Sequence, residues 1–345
     1  MAKRRTILGI DIGRDQLKLA LVRNGRVTAT ASAKMPENLL REGRIVSRES
    51  MGELLRNTMK ENGIHANYGA VVLPNDIVFI KNVEMPWMTV DQLEFNLPFE
   101  FNDYITGELK DYVFDYAVLN DPEDAKSTGD EHAQQDQQVG EGSMELMAVG
   151  TMKSVVEDAA EVLRKAGLKL TMTAPALCAY IALIRARQSA LSELGDEYGI
   201  LDLGYSEIRM YMFHNDRHVA TRVLEMGLST LDEVLSDAYG VDVHLAHTYL
   251  MTNYDNCQQR EECATAYENI AVELMRAVNF YRFSHPNSTL SDLWLCGGGA
   301  VISPLAETIG DMLNIQMHPA SELVPNGDNI EECNSYVQAV GIALA

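Results

Sequence analysis

Apolar and polar residues near the N-terminus of the chain follow the spacing of β-strands. Ile7–Ile12 is an apolar run, typical of a strand buried on both faces. Gln16–Val22 and Arg26–Ala33 alternate apolar and polar residues, which predicts two further strands, and the Asn-Gly pair between them favours a hairpin turn. A helix is predicted over Arg48–Glu61. The segment therefore predicts a β-β-β-α unit.

The same pattern returns, without a gap, when the sequence is displaced by 191 residues. Asp11 falls on Asp202, and Gly13 falls on Gly204. Further matches join Lys18 to Arg209, Asn24 to Asn215, Arg26 to Arg217, Ala29 to Ala220, Thr30 to Thr221 and Met35 to Met226. The second copy predicts strands and a helix at Tyr198–Leu203, Glu207–Phe213, His218–Leu224 and Ser229–Ala238. Because an internal repeat marks duplicated units, the sequence predicts two related α/β lobes that face each other.

Each predicted lobe carries an insertion. The first predicted lobe spans residues 1–190, with its core in 1–85 and 170–190 and a small α+β subdomain in 86–169. The second predicted lobe spans residues 191–345, with its core in 191–240 and 290–345 and a helical insertion in 241–289. The subdomain's predicted elements are Val90–Phe101, Tyr112–Leu119, Leu146–Val149 and Ser154–Ala166. Residues 120–143 hold seven carboxylates, four glutamines and one lysine, which predicts a disordered loop.

The composition is that of a soluble globular protein, with 46% hydrophobic and 23% charged residues. No run of 18 apolar residues occurs, so no transmembrane helix is predicted. The formal net charge of −22 disfavours nucleic-acid binding and direct membrane insertion, and membrane contact is expected to run through a partner protein. Five cysteines without a CxxC pair favour reduced thiols in a cytoplasmic protein.

A carboxylate and a glycine close the first strand of each copy, as Asp11 with Gly13 and Asp202 with Gly204. Glycine lets backbone N–H groups approach a phosphate, and the aspartate can hold the waters of Mg²⁺. Lys18 is placed to reach a phosphate oxygen. A plain β-turn explains either motif taken alone, but the duplicated pair predicts a phosphate and magnesium site between the lobes.

A third motif is rich in glycine. An apolar strand leads into Gly297, Gly298 and Gly299, and a helix follows, with Ser303 predicted as its N-cap and Pro304 as its first residue. A strand that feeds glycines and a helix N-terminus is typical of a nucleotide cradle. A flexible strand–helix connection gives the same pattern and stays open as the alternative.

These three motifs resemble the phosphate-1, phosphate-2 and adenosine motifs of the actin, Hsp70 and sugar-kinase superfamily, and Tyr336–Ala345 resembles its connect-2 helix. The insertion in the first lobe resembles the FtsA-like branch. More narrowly, the chain is similar to the PilM family of type IV pilus assembly proteins, over stretches that include Glu84–Met88, Leu97–Phe99 and Lys165–Leu168. The resemblance implies duplicated actin-like (ribonuclease H-like) lobes with an FtsA-like small α+β insertion in the first lobe.

The resemblance also implies a site for ATP and Mg²⁺. The implied cofactor-binding residues are Asp11, Gly13, Arg14, Lys18, Asp202, Gly204, Gly227, Glu273, Gly297, Gly298, Gly299 and Ser303, with Asp11 and Asp202 holding Mg²⁺ through water. Three positions depart from the family pattern: Arg14 replaces a usual Ser, Ile208 a usual Thr, and Leu228 a usual Gly. Met172–Ala182 contains no catalytic acid. We therefore expect ATP binding with weak or absent hydrolysis, no catalytic residue and no enzymatic function.

PilM-like proteins are cytoplasmic and dock the N-terminal tail of the membrane protein PilN, so the resemblance implies such a tail and other pilus machinery as partners. We expect the site in the inserted subdomain, with Met85, Trp87, Met88 and Leu93 among its apolar contacts, since Met and Trp favour interfaces. Ordinary core packing of these side chains is the alternative. The fold class also allows a homo-oligomer.

Two other functions stay open at this point. A small-molecule kinase of the same superfamily would need a general base near the cleft, and the sequence identifies none. An FtsA-like cell-division filament protein would carry an amphipathic membrane helix after the last motif, and none follows in this sequence, which closes at Ala345.

Overall fold

Two five-stranded sheets frame the protein in a computed structural model that describes residues 6–120, 143–191, 196–325 and 331–345. The strands in these ranges are β1 (Thr6–Ile12), β2 (Gln16–Arg23), β3 (Arg26–Lys34), β4 (Leu40–Arg41), β5 (Arg44–Ile45), β6 (Tyr68–Leu73), β7 (Val78–Pro86), β8 (Tyr112–Val118), β9 (Ser143–Met152), β10 (Lys169–Pro175), β11 (Glu197–Leu203), β12 (Ile208–His214), β13 (Arg217–Leu224), β14 (Asp292–Cys296) and β15 (Gln316–Pro319). The first sheet has the order β10-β6-β1-β2-β3 and the second β15-β14-β11-β12-β13.

The two sheets repeat each other in register as well as in order. Strand β1 pairs antiparallel with β2 so that Asp11 lies opposite Lys18, and β11 pairs with β12 so that Asp202 lies opposite Arg209. On its other side β1 runs parallel to β6, as β11 runs parallel to β14. The repeat in the sequence is therefore a repeat in three dimensions, and the predicted duplicated α/β fold is confirmed.

A third, antiparallel sheet of order β7-β9-β8 forms the inserted subdomain. Strand β7 pairs with β9 from Val78 onward, so this sheet begins before the predicted boundary at residue 86. Among the described strands, β8 pairs with β9 alone and therefore lies at the edge of this sheet. The predicted disordered loop at residues 120–143 lies, except for its two end residues, outside the described ranges.

Two of the helices pack between the large sheets. The helices are α1 (Arg48–Glu61), α2 (Val90–Asn96), α3 (Lys153–Lys165), α4 (Ala176–Leu191), α5 (Leu228–Tyr239), α6 (Val243–Thr252), α7 (Glu261–Ser284), α8 (Ser303–Leu313) and α9 (Val337–Leu344). Helices α4 and α9 contact each other and share one buried core with side chains of both sheets, including Val72 and Trp294. Helices α1 and α3 cover the outer face of the first sheet, and α5 to α8 cover that of the second.

Two of the differences between predicted and observed helix ends have a clear local cause. The predicted helix Val90–Phe101 ends at Asn96 and continues as a 3₁₀ turn around Pro98, because proline cannot donate a backbone hydrogen bond. The prediction of Ser303 as N-cap is wrong. Ile302 is the N-cap, and Ser303 is already helical, because the 3₁₀ turn after the glycines leads directly into α8.

Candidate functional site

The two Asp-x-Gly turns face one cavity between the large sheets. A Cβ added to Gly204 would lie 2.6 Å from the Glu207 carbonyl oxygen, and one added to Gly13 would lie 2.9 Å from that of Gln16. Each turn is therefore too tight for a side chain at its glycine. Asp11 and Asp202 each lie one residue before the end of their strand, and both line the cavity.

Eight of the twelve predicted cofactor-binding residues line this cavity. They are Asp11, Gly13, Arg14, Lys18, Asp202, Gly204, Gly297 and Gly298. They come from both sheets and from the glycine-rich segment after β14, so the fold unites all three predicted motifs. Residues that the sequence did not indicate also line it, among them Asp15, Asp76, Arg209, His247 and Gln338.

The other four predicted residues do not line the cavity. Gly227 lies behind the second turn, where an added Cβ would be 2.5 Å from the Tyr205 carbonyl oxygen. Gly299 packs against Leu203, and Ser303 begins helix α8. Glu273 lies on α7 and forms an ion pair with Arg276. Gly227 and Gly299 support the site from behind, and Glu273 is engaged elsewhere.

Asp202 is the most strongly held of the cavity's carboxylates. It is 8% exposed, and its Oδ2 accepts hydrogen bonds from the Tyr180 hydroxyl at 3.1 Å and from Gln338 Nε2 at 2.8 Å. Burial raises the pKa of Asp202 to about 6, and Lys18 opposes that rise. Burial also raises the pKa of Asp11, again opposed by Lys18. Both carboxylates thus lie where an additional cation would stabilise their charged forms.

This donor set fits a hydrated magnesium ion. Among the residues that the structure describes, no cluster of three or more His, Cys, Asp or Glu side chains is arranged to ligate a bare metal ion. Mg²⁺ in proteins keeps most of its waters and is commonly held by one or two carboxylates. Asp11 and Asp202 supply two carboxylates at facing strand ends, and burial raises the pKa of each. Asp11 and Asp202 would hold such an ion through water, and it would neutralise phosphate charge beside Lys18.

The remaining charged side chains at the cavity are paired. Arg14, which replaces the usual serine, forms an ion pair with Asp76 at 2.5 Å. Arg209 pairs with Glu207 at 2.5 Å. Arg14 is therefore held at the cavity wall by a carboxylate from the β6–β7 connection, a contact between two distant segments that sequence spacing does not reveal.

A histidine links the two sides of the cavity. His247, on α6, contacts Asp232 of α5 at 2.9 Å and Asp15 of the first turn at 3.5 Å. Hydrogen bonds to Asp15 and Asp232 raise the pKa of His247 to about 9, and the bond to His247 lowers the pKa of Asp15. Tyr205 lies edge-on to the same ring. The imidazolium thus ties the first turn to the second sheet's helices.

This link predicts a pH-dependent stability. Since the folded-state pKa of His247 is raised, its contribution is complete below about 6.5 and is lost as the pH rises through about 9. We expect the melting temperature of the wild type to fall more steeply between these two values than that of His247→Asn, measured by differential scanning calorimetry. His244→Asn, one helical turn away, is the control and should keep the wild-type slope. Equal slopes for wild type and His247→Asn would contradict the assignment.

The structure separates the four predicted partner-binding residues into two kinds. Met85 is 7% exposed and Leu93 is 3% exposed, and both pack within the core of the inserted subdomain. Their side chains fill the space beneath β7 and α2, which favours the alternative of ordinary core packing, and their contact with a partner stays a prediction. Trp87 and Met88 are half-buried against the same core.

A separate groove lies between the inserted subdomain and helix α4. We call it the α4–β8 groove. Its walls are Asn82, Glu145 and Met147 on β7 and β9, Ala117, Val118 and Leu119 on β8 and just after it, Cys178, Ile181, Ala182 and Arg185 on α4, and residues from the β12–β13 hairpin, the end of α7 and the chain end at Leu344 and Ala345. In the described part of the chain, β8 has a sheet partner on one side only, and the groove also reaches Asn82 and Met147, which lie in register with Ala117 across this sheet. Such a groove suits an extended peptide.

Comparison with known proteins matches the model of the type IV pilus assembly protein PilM to residues 9–344. The chain belongs to the PilM family. A solved PilM-PilN type IV pilus biogenesis complex resembles this PilM-family chain with a TM-score of 0.81 and 23% identity, over 99% of this chain and 98% of that one.

More distant structures share the fold. The ethanolamine utilization protein EutJ from Carboxydothermus hydrogenoformans has a TM-score of 0.59 and 15% identity, over 100% of this chain and 90% of its own. MreB 5 of Spiroplasma citri, solved with AMPPNP, has a TM-score of 0.52 and 10% identity, over 98% of this chain and 94% of its own. The PilM-family chain therefore has an actin-like ATPase fold. In the described ranges, no helix has the length and apolar character needed to cross a bilayer.

Proposed function

We propose that this PilM-family chain binds Mg-ATP between its lobes and, in the cytoplasm, docks the N-terminal tail of a PilN-like membrane protein for type IV pilus assembly. The observation that carries the proposal is the meeting of two duplicated Asp-x-Gly turns and the glycine-rich segment at one cavity. Actin-like neighbours solved with AMPPNP support a nucleotide as the ligand.

The α4–β8 groove is our proposed site for the tail. A solved relative is a PilM-PilN complex. The groove combines an edge strand with apolar side chains from β8 and α4, so an extended tail can pair its backbone with β8 and bury alternate side chains. The charge of −22 disfavours a direct lipid contact, and a protein tail supplies membrane attachment without one.

The test uses a labelled peptide with the sequence of the N-terminal cytoplasmic tail of the PilN-like protein from the same genome. We expect saturable binding in fluorescence anisotropy, with modest affinity because the tail loses its disorder on docking. A scrambled peptide of equal composition is the control. Equal binding of the two peptides would refute docking of the tail.

We further propose that ATP is bound with little turnover. Ile208, where the family has a hydroxyl, is buried and offers no hydrogen bond to a terminal phosphate. Of the cavity's acids, Asp15, Asp76 and Glu207 are ion-paired, which leaves them poor general bases, and Asp11 and Asp202 would be engaged by the waters of Mg²⁺. We expect phosphate release far below the enzyme median of roughly 10 s⁻¹, because a positioned base typically contributes about 10²–10⁴-fold.

The measurement is a phosphate-release assay with Mg-ATP alone and with small sugars, with heat-inactivated protein as the control. Turnover near the enzyme median with any acceptor would overturn this part of the proposal and favour the small-molecule kinase.

A further inference from the structure

Two histidines on one face of helix α6 contact the first lobe across the cleft. His247 Nε2 lies 3.5 Å from Asp15 Oδ2, in the turn between β1 and β2, and His244 Nε2 lies 3.2 Å from Glu37 Oε1, in the segment after β3. The side chains of His247 and Asp15 are 14% and 28% exposed, whereas those of His244 and Glu37 are 57% and 80% exposed. Because exposed ion pairs contribute little, the inner pair carries this contact between α6 and the first lobe.

His247 is fixed on the side of the second lobe by a buried acid. Its Nδ1 lies 2.9 Å from Oδ2 of Asp232, whose side chain is 1% exposed. Asp232 belongs to α5, and this helix is fastened to the second Asp-x-Gly turn, since the Leu228 N–H donates to the Gly204 carbonyl oxygen at 3.1 Å. The contacts therefore run without a break from the second turn, through α5 and His247, to Asp15 in the first turn.

The protonation of this histidine follows from its geometry. Both ring nitrogens face a carboxylate, so both must carry a hydrogen, and the ring is an imidazolium that holds one acid on each side of the cleft. Asp232 is buried and cannot exchange its partner for water, whereas Asp15 is partly exposed and can. When the lobes part, the contact that breaks is consequently the one between His247 and Asp15.

The cavity between the two turns is narrow. Its volume is about 190 Å³, below the roughly 300–1,000 Å³ of typical ligand sites. Asp15 and His247 both line it, together with Gly13 and Gly204 of the two turns. A nucleotide can therefore enter or leave only after the lobes have moved apart, and that movement has to break the contact between Asp15 and His247.

We infer that Asp15 and His247 form a clasp across the cleft that must open before a nucleotide enters or leaves, and that this clasp sets the rate of nucleotide exchange. The inference rests on the proposed function, since it takes the cavity as the nucleotide site. In a protein with little turnover, the lifetime of the bound nucleotide is then set by the clasp and not by hydrolysis. Both residues act by holding the first turn in position.

The test measures the rates at which a fluorescent ATP analogue binds and dissociates in the presence of Mg²⁺, by stopped-flow fluorescence with unlabelled Mg-ATP as the chase. Asp15→Ala and His247→Asn each remove one half of the clasp. We expect each variant to raise both rates by about tenfold, the lower end of what a hydrogen bond to a charged group contributes. The dissociation constant should change less than either rate. A variant with both substitutions should be no faster than either alone, because the second substitution has no further contact to release.

The two substitutions distinguish a clasp from a simple effect of charge. ATP is a polyanion, so by charge alone the loss of the Asp15 carboxylate would slow dissociation and the loss of the His247 cation would speed it. The clasp predicts that both losses speed it. His244→Asn is the matched control, since it removes the exposed pair on the same face of α6 and should keep the wild-type rates. Asp15→Ala leaves the buried contact between His247 and Asp232 intact, so it decides the question should His247→Asn fail to fold.

The pH dependence of dissociation gives a second readout. The charged and titratable groups around the clasp are Asp15, Lys18 and Lys34 from the first lobe and Asp232 and Tyr205 from the second. Hydrogen bonds to the two acids raise the pKa of His247 to about 9, and burial raises the pKa of Tyr205 to about 12. The imidazolium is therefore lost as the pH rises through about 9, and wild-type dissociation should accelerate there towards the rate of Asp15→Ala, which should itself stay level.

The outcomes separate the clasp from the site that it closes. Unchanged or slower dissociation in Asp15→Ala would refute the clasp, as would a wild-type rate that does not rise as the pH passes about 9. If the analogue does not bind the wild type, the proposed nucleotide site is itself refuted, and the clasp with it.

Discussion

Replacing Asp11 by Asn is expected to weaken Mg-ATP binding by about 10- to 100-fold, because a hydrogen bond to a charged group contributes roughly 1.5–3 kcal/mol. The fold should survive this change. Burial raises the pKa of Asp11, so its charge is held at a cost in the ligand-free protein, and removing that charge relieves the cost. The expected result is a specific loss of nucleotide affinity with little change in the melting temperature.

Isothermal titration with Mg-ATP measures the affinity, and calorimetry of the ligand-free protein measures the stability. Asp91→Asn, an exposed substitution of the same kind on α2, is the control and should change neither quantity. A plain β-turn with no ligand would be indicated by unchanged affinity in Asp11→Asn.

The substitution Asp202→Asn is expected to affect stability as well as affinity, unlike Asp11→Asn. Asp202 accepts hydrogen bonds from Tyr180 and Gln338 inside the core between the sheets, so an amide there disturbs buried partners as well as the ligand. We expect Asp202→Asn to lose both stability and affinity. Comparing the two variants therefore distinguishes Asp11, which faces the cavity, from Asp202, which also accepts hydrogen bonds from side chains of α4 and α9.

The sequence predicted the parts of the fold that follow local periodicity. Strands β1 to β3 and their copies β11 to β13 alternate or run apolar, and the displacement by 191 residues fixed their pairing. Helix α4 was not predicted, because it has no clear polar face from which a helical period could be recognised. It is apolar around much of its circumference since it lies buried between the two sheets. Strand β10 was missed for a related reason, since it leads into α4 without a polar turn.

The sequence predicted residues that line the cavity where they lie in one short motif. Asp11, Gly13, Asp202 and Gly204 come with their turns, and all four line the cavity. Contacts between distant segments, such as Arg14 with Asp76, arise only after folding and have no signal in spacing. Arg209 was not predicted either, although the repeat placed it on Lys18 and the structure pairs it with the second carboxylate in the sheet register.

The sequence could not separate the two interpretations of Met85 and Leu93, because an apolar residue near an expected interface has the same sequence signal as one in a core, and the structure buries both side chains. The repeat also could not locate the α4–β8 groove. Its walls come from the insertion, from α4 and from the second sheet, and only the folded chain brings these three together. The groove therefore replaces the predicted apolar contacts as the place to test partner binding.

Replacing Ala182 by Arg should weaken binding of the PilN-like tail peptide by about tenfold or more, equivalent to at least 1.4 kcal/mol, because a bulky charge would displace apolar side chains of the tail. Ala182 lies half-buried on the groove face of α4, one turn from Arg185, whose like charge keeps the new side chain from folding back along the helix. Arg185 is itself directed toward Asp216 of the β12–β13 hairpin. The introduced guanidinium is thus expected to project into the space that the tail would occupy.

Fluorescence anisotropy with the labelled tail peptide measures the effect, and titration with Mg-ATP verifies that the nucleotide site is intact. Ala264→Arg is the matched control, since Ala264 is exposed near the start of α7, about 25 Å along that helix from the residues that reach the groove. It should bind the tail as the wild type does. Equal loss in both variants would indicate a nonspecific charge effect, and unchanged binding in Ala182→Arg would move the tail away from the groove. Ala182 is not part of the hydrogen-bond network of Asp202, Tyr180 and Gln338 at the cavity. A loss of tail binding with normal Mg-ATP affinity would therefore show that the tail binds in the groove and that the nucleotide site is unaffected.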